Sequence, residues 1–243
     1  MRTMLTELSG QDTLLASWAA LAMTSPGARL EESAGAIGAV FPAWAPLNNV
    51  IVLGDAATAE DVRAEWANRY AAVGVRRWAL WLPSRGTDFD APGELTAIPG
   101  MRRDETNLVM TAPIPPGLRT DHGVVRTSLD SAVRASDDPV PVAELGEPGT
   151  TPGLDTWVLV RDGLAVAGAW TYRRGTDCGI YGVGTAPGWR RQGLGGALMR
   201  HLMAGAAAVG GSTATLQSTP MGRHLYERLG FVTVGRYEEW VPE

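Results

Sequence analysis

The chain of 243 residues contains no lysine; all 21 of its basic residues are arginines. No side-chain ε-amino group is therefore present anywhere in the chain. Cysteine is nearly absent too: the lone Cys178 excludes an internal disulfide and fits a reducing compartment, so the cytoplasm is the expected location. The only histidines, His122, His201 and His224, have neither metal-ligand spacing nor companion cysteines, and no metal is expected. No apolar run approaches the roughly 20 residues that a membrane helix needs. Residues 197–209 come closest, and Arg200 and His201 interrupt them. The first seven residues hold no apolar core of signal-peptide length, so neither membrane association nor export is expected. A formal net charge of −5 provides no basic surface for a phosphodiester backbone, which argues against nucleic acid as a partner.

What is present suffices for a sizeable core. A hydrophobic content of 45% is ordinary for a globular protein, and the length allows one large domain or two small ones. Residues 112–117, Ala-Pro-Ile-Pro-Pro-Gly, resist both helix and central strand and divide the chain nearly in half. An N-terminal α/β domain over 1–115 and a second domain over 116–243 follow. In the first, Leu14, Trp18 and Leu21 predict an amphipathic helix, 38–42 and 49–53 predict strands, and Thr58 caps a helix carrying Val62, Trp66 and Val73. A strand at 78–82 follows, and 108–110 close the set. In the second half, 124–126 predict a strand, 129–134 a short helix and 137–152 a loop. Residues 157–160 and 165–170 flank Arg161-Asp162-Gly163 as a hairpin.

The stretch 183–195, Val-Gly-Thr-Ala-Pro-Gly-Trp-Arg-Arg-Gln-Gly-Leu-Gly, carries the most chemical information. It predicts a strand end, a tight turn and a glycine-containing loop that opens a helix. Such a helix start presents unpaired N–H groups and about half a positive charge. Arg190 and Arg191 add full charges, while Gly193 and Gly195 let a diphosphate approach the main chain. Upstream, 178–185 are short, apolar and β-prone. Downstream, Leu194, Leu198, Leu202 and Val209 recur at helical spacing, Gly210-Gly211 ends the helix, and 213–217 predict a strand. Thr219-Pro220 then predicts a helix start with Met221, Leu225 and Leu229 as its buried stripe, Gly230 its cap, and 231–234 a returning strand. Gly193-Leu194-Gly195-Gly196-Ala197-Leu198 is not a dinucleotide fingerprint, because its sixth position is Leu.

Arg190, Gly193 and Gly195 match the Arg/Gln-x-x-Gly-x-Gly/Ala motif of the GNAT acetyltransferase superfamily, and Leu225-Tyr226-Glu227-Arg228-Leu229-Gly230-Phe231 matches its Leu-Tyr-x-x-x-Gly-Phe pattern. The region 124–240 therefore resembles that superfamily. The resemblance implies an α/β (α+β) GNAT fold: a mixed, mostly antiparallel central sheet flanked by helices, here with an additional N-terminal α/β domain. The element order of the first half also suits a degenerate GNAT-like copy. Its helix start at 54–61 carries three carboxylates, which repel pyrophosphate, so it is not expected to bind coenzyme A. A wall of the acceptor site and a purely structural partner are the two roles left to it.

The resemblance further implies acetyl transfer from acetyl-CoA to a primary amine by direct attack. Val183, Gly184 and Thr185 would hold the pantetheine arm, with the Val183 N–H at the thioester carbonyl. Arg190, Arg191, Gln192, Gly193, Leu194, Gly195 and Gly196 would cradle the diphosphate. Tyr226 would lie at the sulfur as general acid, and Ser218 stands where many relatives carry an asparagine that contacts the donor. Relatives often place a basic carboxylate on the fourth strand; 180–185 contain none, and Asp177 is the nearest, with Glu238 and Glu239 as further candidates. Trp170 and Tyr172 are candidates for the acceptor cleft, and Trp78, Trp81 and Trp157 for the core. Cys178 lacks a placed histidine partner and reads as a buried strand residue. Two other functions remain open: a noncatalytic acyl-CoA sensor, favoured by the missing carboxylate, and transfer of a longer acyl chain. The acceptor, small molecule or peptide or protein, is not specified, nor is a homodimer.

Overall fold

The computed structural model describes residues 8–33, 35–53, 58–90, 93 and 95–243. In chain order the elements are α1 (Gln11–Ala22), β1 (Arg29–Ser33), β2 (Ala36–Val40), β3 (Asn49–Val52), α2 (Ala59–Ala72), β4 (Ala79–Ser84), β5 (Met101–Arg103) and β6 (Asn107–Pro113). There follow β7 (Val124–Arg126), α3 (Leu129–Asp137), β8 (Val140–Pro141), β9 (Leu154–Arg161), β10 (Leu164–Arg174), β11 (Asp177–Thr185), α4 (Leu194–Ala208), β12 (Thr213–Ser218), α5 (Arg223–Arg228) and β13 (Val232–Pro242).

The strands form one continuous sheet in the order β1-β2-β3-β4-β13-β6-β12-β11-β10-β9-β7, with β5 against β13 and β8 against β10. Two contacts are parallel, β3 with β4 and β11 with β12; the other described pairs are antiparallel. The sheet is thus mixed and mostly antiparallel, as expected. The two halves exchange strands at its centre. β6, whose residues 108–110 were expected to close the first half, pairs with β12 and β13, while β13 from the end of the chain pairs with β4. The proline-rich stretch at 112–117 leaves the sheet just after β6.

Each sheet face carries helices from both halves, with the short α5 beside α4. Leu108 shares a core with Leu198 and Met199 of α4, and its cross-strand partner Arg236 lies on the same face of β13 as Trp240, four residues on, which packs with Val62 and Trp66 of α2. α2 and α4 therefore cover one face. α1 covers the other, where Leu14, Trp18 and Leu21 meet Trp81, Tyr181 and Tyr237. α3 lies beside it, so close that a Cβ on Gly168 of β10 would fall 1.8 Å from the Ala132 carbonyl oxygen. Burial of Leu194, Leu198, Met199, Leu202 and Met203 fixes α4, each large apolar side chain contributing roughly 1.5–3 kcal/mol.

Turn chemistry sets the register of the C-terminal hairpins. Asp162 (φ 51°) and Gly163 (φ 77°) make the predicted two-residue turn between β9 and β10. Gly175 (φ 60°) opens the turn between Arg174 and Asp177. Some local expectations need correction. α5 begins at Arg223, because 219–222 close a separate turn through the Gly222 N–H and the Thr219 carbonyl (3.0 Å), leaving Met221 exposed rather than in a buried stripe. Val209 lies beyond the end of α4 and is likewise exposed. The loop expected over 137–152 contains β8 and a 3-10 turn at Val142–Glu144. β1, Arg-Leu-Glu-Glu-Ser, lacks an apolar pattern because it is a sheet edge. Among the described residues no helix is long and apolar enough to cross a membrane.

Candidate functional site

The parallel strands β11 and β12 pair only at Asp177↔Thr213, Cys178↔Ala214 and Gly179↔Thr215. β12 then follows β6 to Ser218, whereas β11 follows β10 to Thr185. From Ile180 onward the two strands diverge, and one backbone edge of β11 lacks a strand partner. A backbone edge of this kind is where an extended amide-bearing chain can pair.

A bulge shapes that edge. Between the pairs Tyr181↔Trp170 and Gly184↔Gly168, β11 places Gly182 and Val183 against the single residue Ala169. Gly182 is left-handed (φ 59°), and a Cβ there would lie 1.7 Å from Cζ3 of Trp170. Only glycine fits beneath this indole. The bulge lifts Val183 out of the regular ladder beside the divergence.

The glycine loop after β11 is held by its own backbone. Ala186 N–H donates to the Val166 carbonyl (2.9 Å), Trp189 N–H to that of Ala186 (2.8 Å), and Arg190 Nε to that of Thr185 (2.8 Å). Arg190 thus braces the loop. Arg191 (φ 63°) and Gly193 (φ 79°) both take left-handed conformations that turn the chain into α4. No side chain caps α4 and no acidic residue occupies its first turn. Its first helical hydrogen bond runs from Ala197 N–H to the Gly193 carbonyl (3.0 Å). The N–H groups of Leu194, Gly195 and Gly196 therefore form an uncapped positive helix end.

Two further glycines bring the parts together. A Cβ on Gly195 would lie 3.3 Å from Leu225 Cδ2 and 3.7 Å from Thr185 Oγ1, so the start of α4 touches both the end of β11 and α5. A Cβ on Gly222 would lie 2.8 Å from the Tyr226 ring and 3.3 Å from Ser218 Oγ. Thr185, Gly195 and Leu225 thereby meet on one side, and Ser218, Gly222 and Tyr226 on the other, with Leu225 and Tyr226 adjacent on α5; the opening between the diverging β11 and β12 that they flank is the candidate cleft. Ser218 Oγ donates to the Thr219 carbonyl (2.8 Å) and fixes the exit from β12. Tyr226 is buried with its ring edge-on to Phe231, and burial pushes its phenol up to about 12. The phenol consequently keeps its proton throughout the neutral range.

The candidate bases lie elsewhere. Asp177 opens β11, six positions before Val183, which at about 3.3 Å per residue is roughly 20 Å away. Its Oδ2 accepts from Thr13 Oγ1 (2.6 Å) and Thr215 Oγ1 (3.0 Å), tying α1 to the sheet. Glu238 is buried in an ion pair with Arg236 (2.7 Å). Glu239 accepts from Trp81 Nε1 (2.8 Å) and Asn107 Nδ2 (3.1 Å) in the seam between β13 and β4. None of the three borders the cleft. Burial pushes the Cys178 thiol up to about 12, leaving it in the inert thiol form. His201 accepts the Asp121 N–H, and His224 pairs with Glu227 on the surface.

Trp170 lies over the bulge and beside Trp44, while Tyr172 pairs with Gly179 farther down β10. Trp78 and Trp81 are core residues, and Trp157 is half-buried against His201. Gly182 and Gly222 were not singled out from the sequence. For Gly182 the signal was a glycine pair, Gly182 and Gly184, inside a strand. In the first half, residues 54–57 of the expected acidic helix start lie outside the described residues; Glu60 and Asp61 occupy the first turn of α2.

Residues 152–233 match the family model of the GNAT acetyltransferase domain. No curated protein matches the chain. Among solved structures, the chain is similar to a GCN5-related N-acetyltransferase from Kribbella flavida, with 19% identity, a TM-score of 0.63 and 95% of each chain covered. It is also similar to an acetyltransferase of the GNAT family from Novosphingobium aromaticivorans, at 21% identity and a TM-score of 0.55 over 87% of this chain and 90% of that one. A GCN5-related N-acetyltransferase from Sphaerobacter thermophilus gives 16% identity and a TM-score of 0.53 over 96% and 85%. These likenesses span both halves of the sheet.

Proposed function

We propose, from the premise that residues 152–233 belong to the GNAT acetyltransferase family, that this protein transfers acetyl from acetyl-CoA to a primary amine by direct attack. The observation that carries the proposal is the divergence of β11 from β12, with the uncapped start of α4 touching Thr185 at the end of β11 and Leu225 beside Tyr226 on α5; this arrangement supports the reading. The edge of β11 suits the amides of a pantetheine arm, and the N–H groups of 191–196 suit a diphosphate. The left-handed Arg191 and Gly193 hold that loop open toward an anion.

In the proposed reaction the amine nitrogen attacks the thioester carbonyl carbon, and the carbonyl oxygen gains negative charge opposite the Val183 N–H. Collapse re-forms the carbonyl and breaks the carbon–sulfur bond. Sulfur takes a proton from the Tyr226 hydroxyl, nitrogen releases its extra proton to water, and water restores the phenol. Asp177 has no part in this scheme, because it stands at the other end of β11. The first half serves as a coenzyme-silent partner whose strands complete the shared sheet, and the cytoplasm is the proposed location.

The absence of a carboxylate from residues 180–185 favours a second reading, an acyl-CoA sensor without transfer. Acetyl-CoA-dependent thiol release across a panel of primary amines separates the two. Transfer predicts release with at least one amine, and Tyr226→Phe should lower turnover about 100-fold while the KM for acetyl-CoA stays within about twofold. Tight acetyl-CoA binding without release from any amine would establish the sensor. Wild-type turnover in Tyr226→Phe would remove the phenol from the mechanism.

A further inference from the structure

A cavity of about 430 Å³ opens on the α1 and α3 face, between the two halves of the chain. Pro42, Ala43, Trp44 and Leu129 supply its open apolar surface over the buried Phe41 and Leu154, Asp130 and Glu147 stand at its edge, and among the described residues no basic side chain lines it, although Arg126 donates to the carbonyl of the lining Gly149 (3.4 Å). Its volume is that of a small-molecule site. Both walls are built. On the first, the buried Asn48 side chain accepts the Phe41 N–H (2.7 Å) and donates to the Phe41 carbonyl (3.1 Å), which locks the turn presenting Phe41 and Trp44. On the second, Ser128 caps α3 by accepting the Ser131 N–H (3.2 Å), and its own N–H donates to the Gly146 carbonyl (3.0 Å). That pairing sets the Glu147 segment beside Asp130.

The chamber is one indole away from the bulge of β11. The Trp44 ring centroid lies 6.2 Å from that of Trp170, and Trp170 covers Gly182, the neighbour of Val183. We propose that this chamber receives the acceptor, and that the acceptor is an amine cation with an apolar, aryl-sized body. The assignment as acceptor rests on the transfer reading; the ligand chemistry rests on the chamber alone. Pro42, Trp44 and Leu129 take the apolar body, and the face of the Trp44 indole favours a cation. The two carboxylates reject anions and raise the local concentration of cations at the entrance. Arg134, 3.9 Å from Asp130, also lies 3.5 Å from Glu144, and Arg126 is paired with Asp155 (2.5 Å), so with Glu147 counted the edge keeps a negative excess.

The test is calorimetric titration of the full chain with phenethylamine, with its neutral counterpart phenethyl alcohol and with phenylacetate, each with and without coenzyme A. The amine should bind about tenfold more tightly than the alcohol and more tightly still than the acid. The exposed pair Asp130→Asn with Glu147→Gln should erase that preference while acetyl-CoA binding stays unchanged. Trp44→Ala should weaken amine and alcohol alike, and Trp44→Phe should restore much of both. Equal binding of the three probes, no binding of the amine, or unaltered selectivity in the carboxylate variant would overturn the proposal. Loss of transfer with intact amine selectivity would instead sink the acceptor role and leave the chamber's ligand chemistry standing.

Discussion

The two parallel strand pairs of this protein share a topology and differ in what they can hold. In each half three antiparallel strands lead through a helix to a parallel partner: β1, β2, β3, α2 and β4 in the first, β9, β10, β11, α4 and β12 in the second. Each parallel pair is joined at three positions, 49–51 with 79–81 and 177–179 with 213–215. β3, however, ends one residue later at Val52, whereas β11 continues to Thr185 along a divergent path. The helix starts differ in sign as well. α2 has Glu60 and Asp61 in its first turn, and α4 has no acid there. On the proposed reading, an anion is held only in the half where the strand outruns its partner and the helix end stays uncapped.

The largest expected effect separates strain from site. Gly193 (φ 79°) and Gly74 (φ 75°) are both left-handed, and an added Cβ at either meets nothing within 4 Å. Valine at either position carries a backbone cost of about 1–3 kcal/mol. Gly193→Val should weaken acetyl-CoA binding about 100-fold in calorimetry, because relaxing that strain reorients the N–H groups of the loop. Gly74→Val, just after α2, should lower the melting temperature by about 5 °C with acetyl-CoA affinity unchanged. Equal loss of affinity in both variants would mean that the site depends on global stability rather than on this loop.

Much of the C-terminal region was legible because its signals are local. The Asp162-Gly163 turn, the apolar spacing of α4 and the glycine-rich start at Gly193 each act within a few residues. The strand exchange was not legible. Residues 107–113 look alike whether they close one half or join the other, and their place is fixed by long-range pairing with 213–218 and 232–237. The range of α5 was misjudged for a related reason. Thr219-Pro220 is a sound helix start in isolation, yet contact between Gly222 and the Tyr226 ring selects a tight turn there. Asp177 could be ranked only by its distance along the chain, which does not reveal that strand length carries it to the far end of β11.

Charge sign at the helix start gives a smaller and more specific effect. Gln192 is exposed and lies just before α4, where its amide makes only a 3.4 Å contact to the Gly188 carbonyl. Gln192→Glu brings a carboxylate to the start of α4, as at the start of α2. Acetyl-CoA affinity should fall about fivefold at low salt, with the gap shrinking toward twofold near 0.5 M salt. An equal loss at both salt concentrations would show that the substitution disturbs the loop's shape and not its field.

The smallest effect concerns stability and leaves the cleft untouched. The seams flanking the central pair correspond, Thr111↔Thr215 on one side and Glu239↔Trp81 on the other, so the seam beside β4 holds a carboxylate where the seam beside β12 holds a hydroxyl. Burial pushes Glu239 up to about 7, although the Trp81 and Asn107 hydrogen bonds pull it down; Asp104 and Glu105 add to the rise. A raised value means that the folded state holds the proton more tightly than the unfolded state. The associated stability is complete below the unfolded value near 4.5 and is lost as pH rises through about 7. Between about pH 5 and pH 8 the wild type should lose on the order of 1–2 kcal/mol in urea unfolding, allowing for partial exposure. Glu239→Gln keeps an acceptor for Trp81 without a titratable group, so its stability should stay level across that range and its acetyl-CoA affinity should equal that of the wild type. A parallel decline in the variant would assign the pH dependence to other groups, and a change in affinity would couple this seam to the cleft across β6.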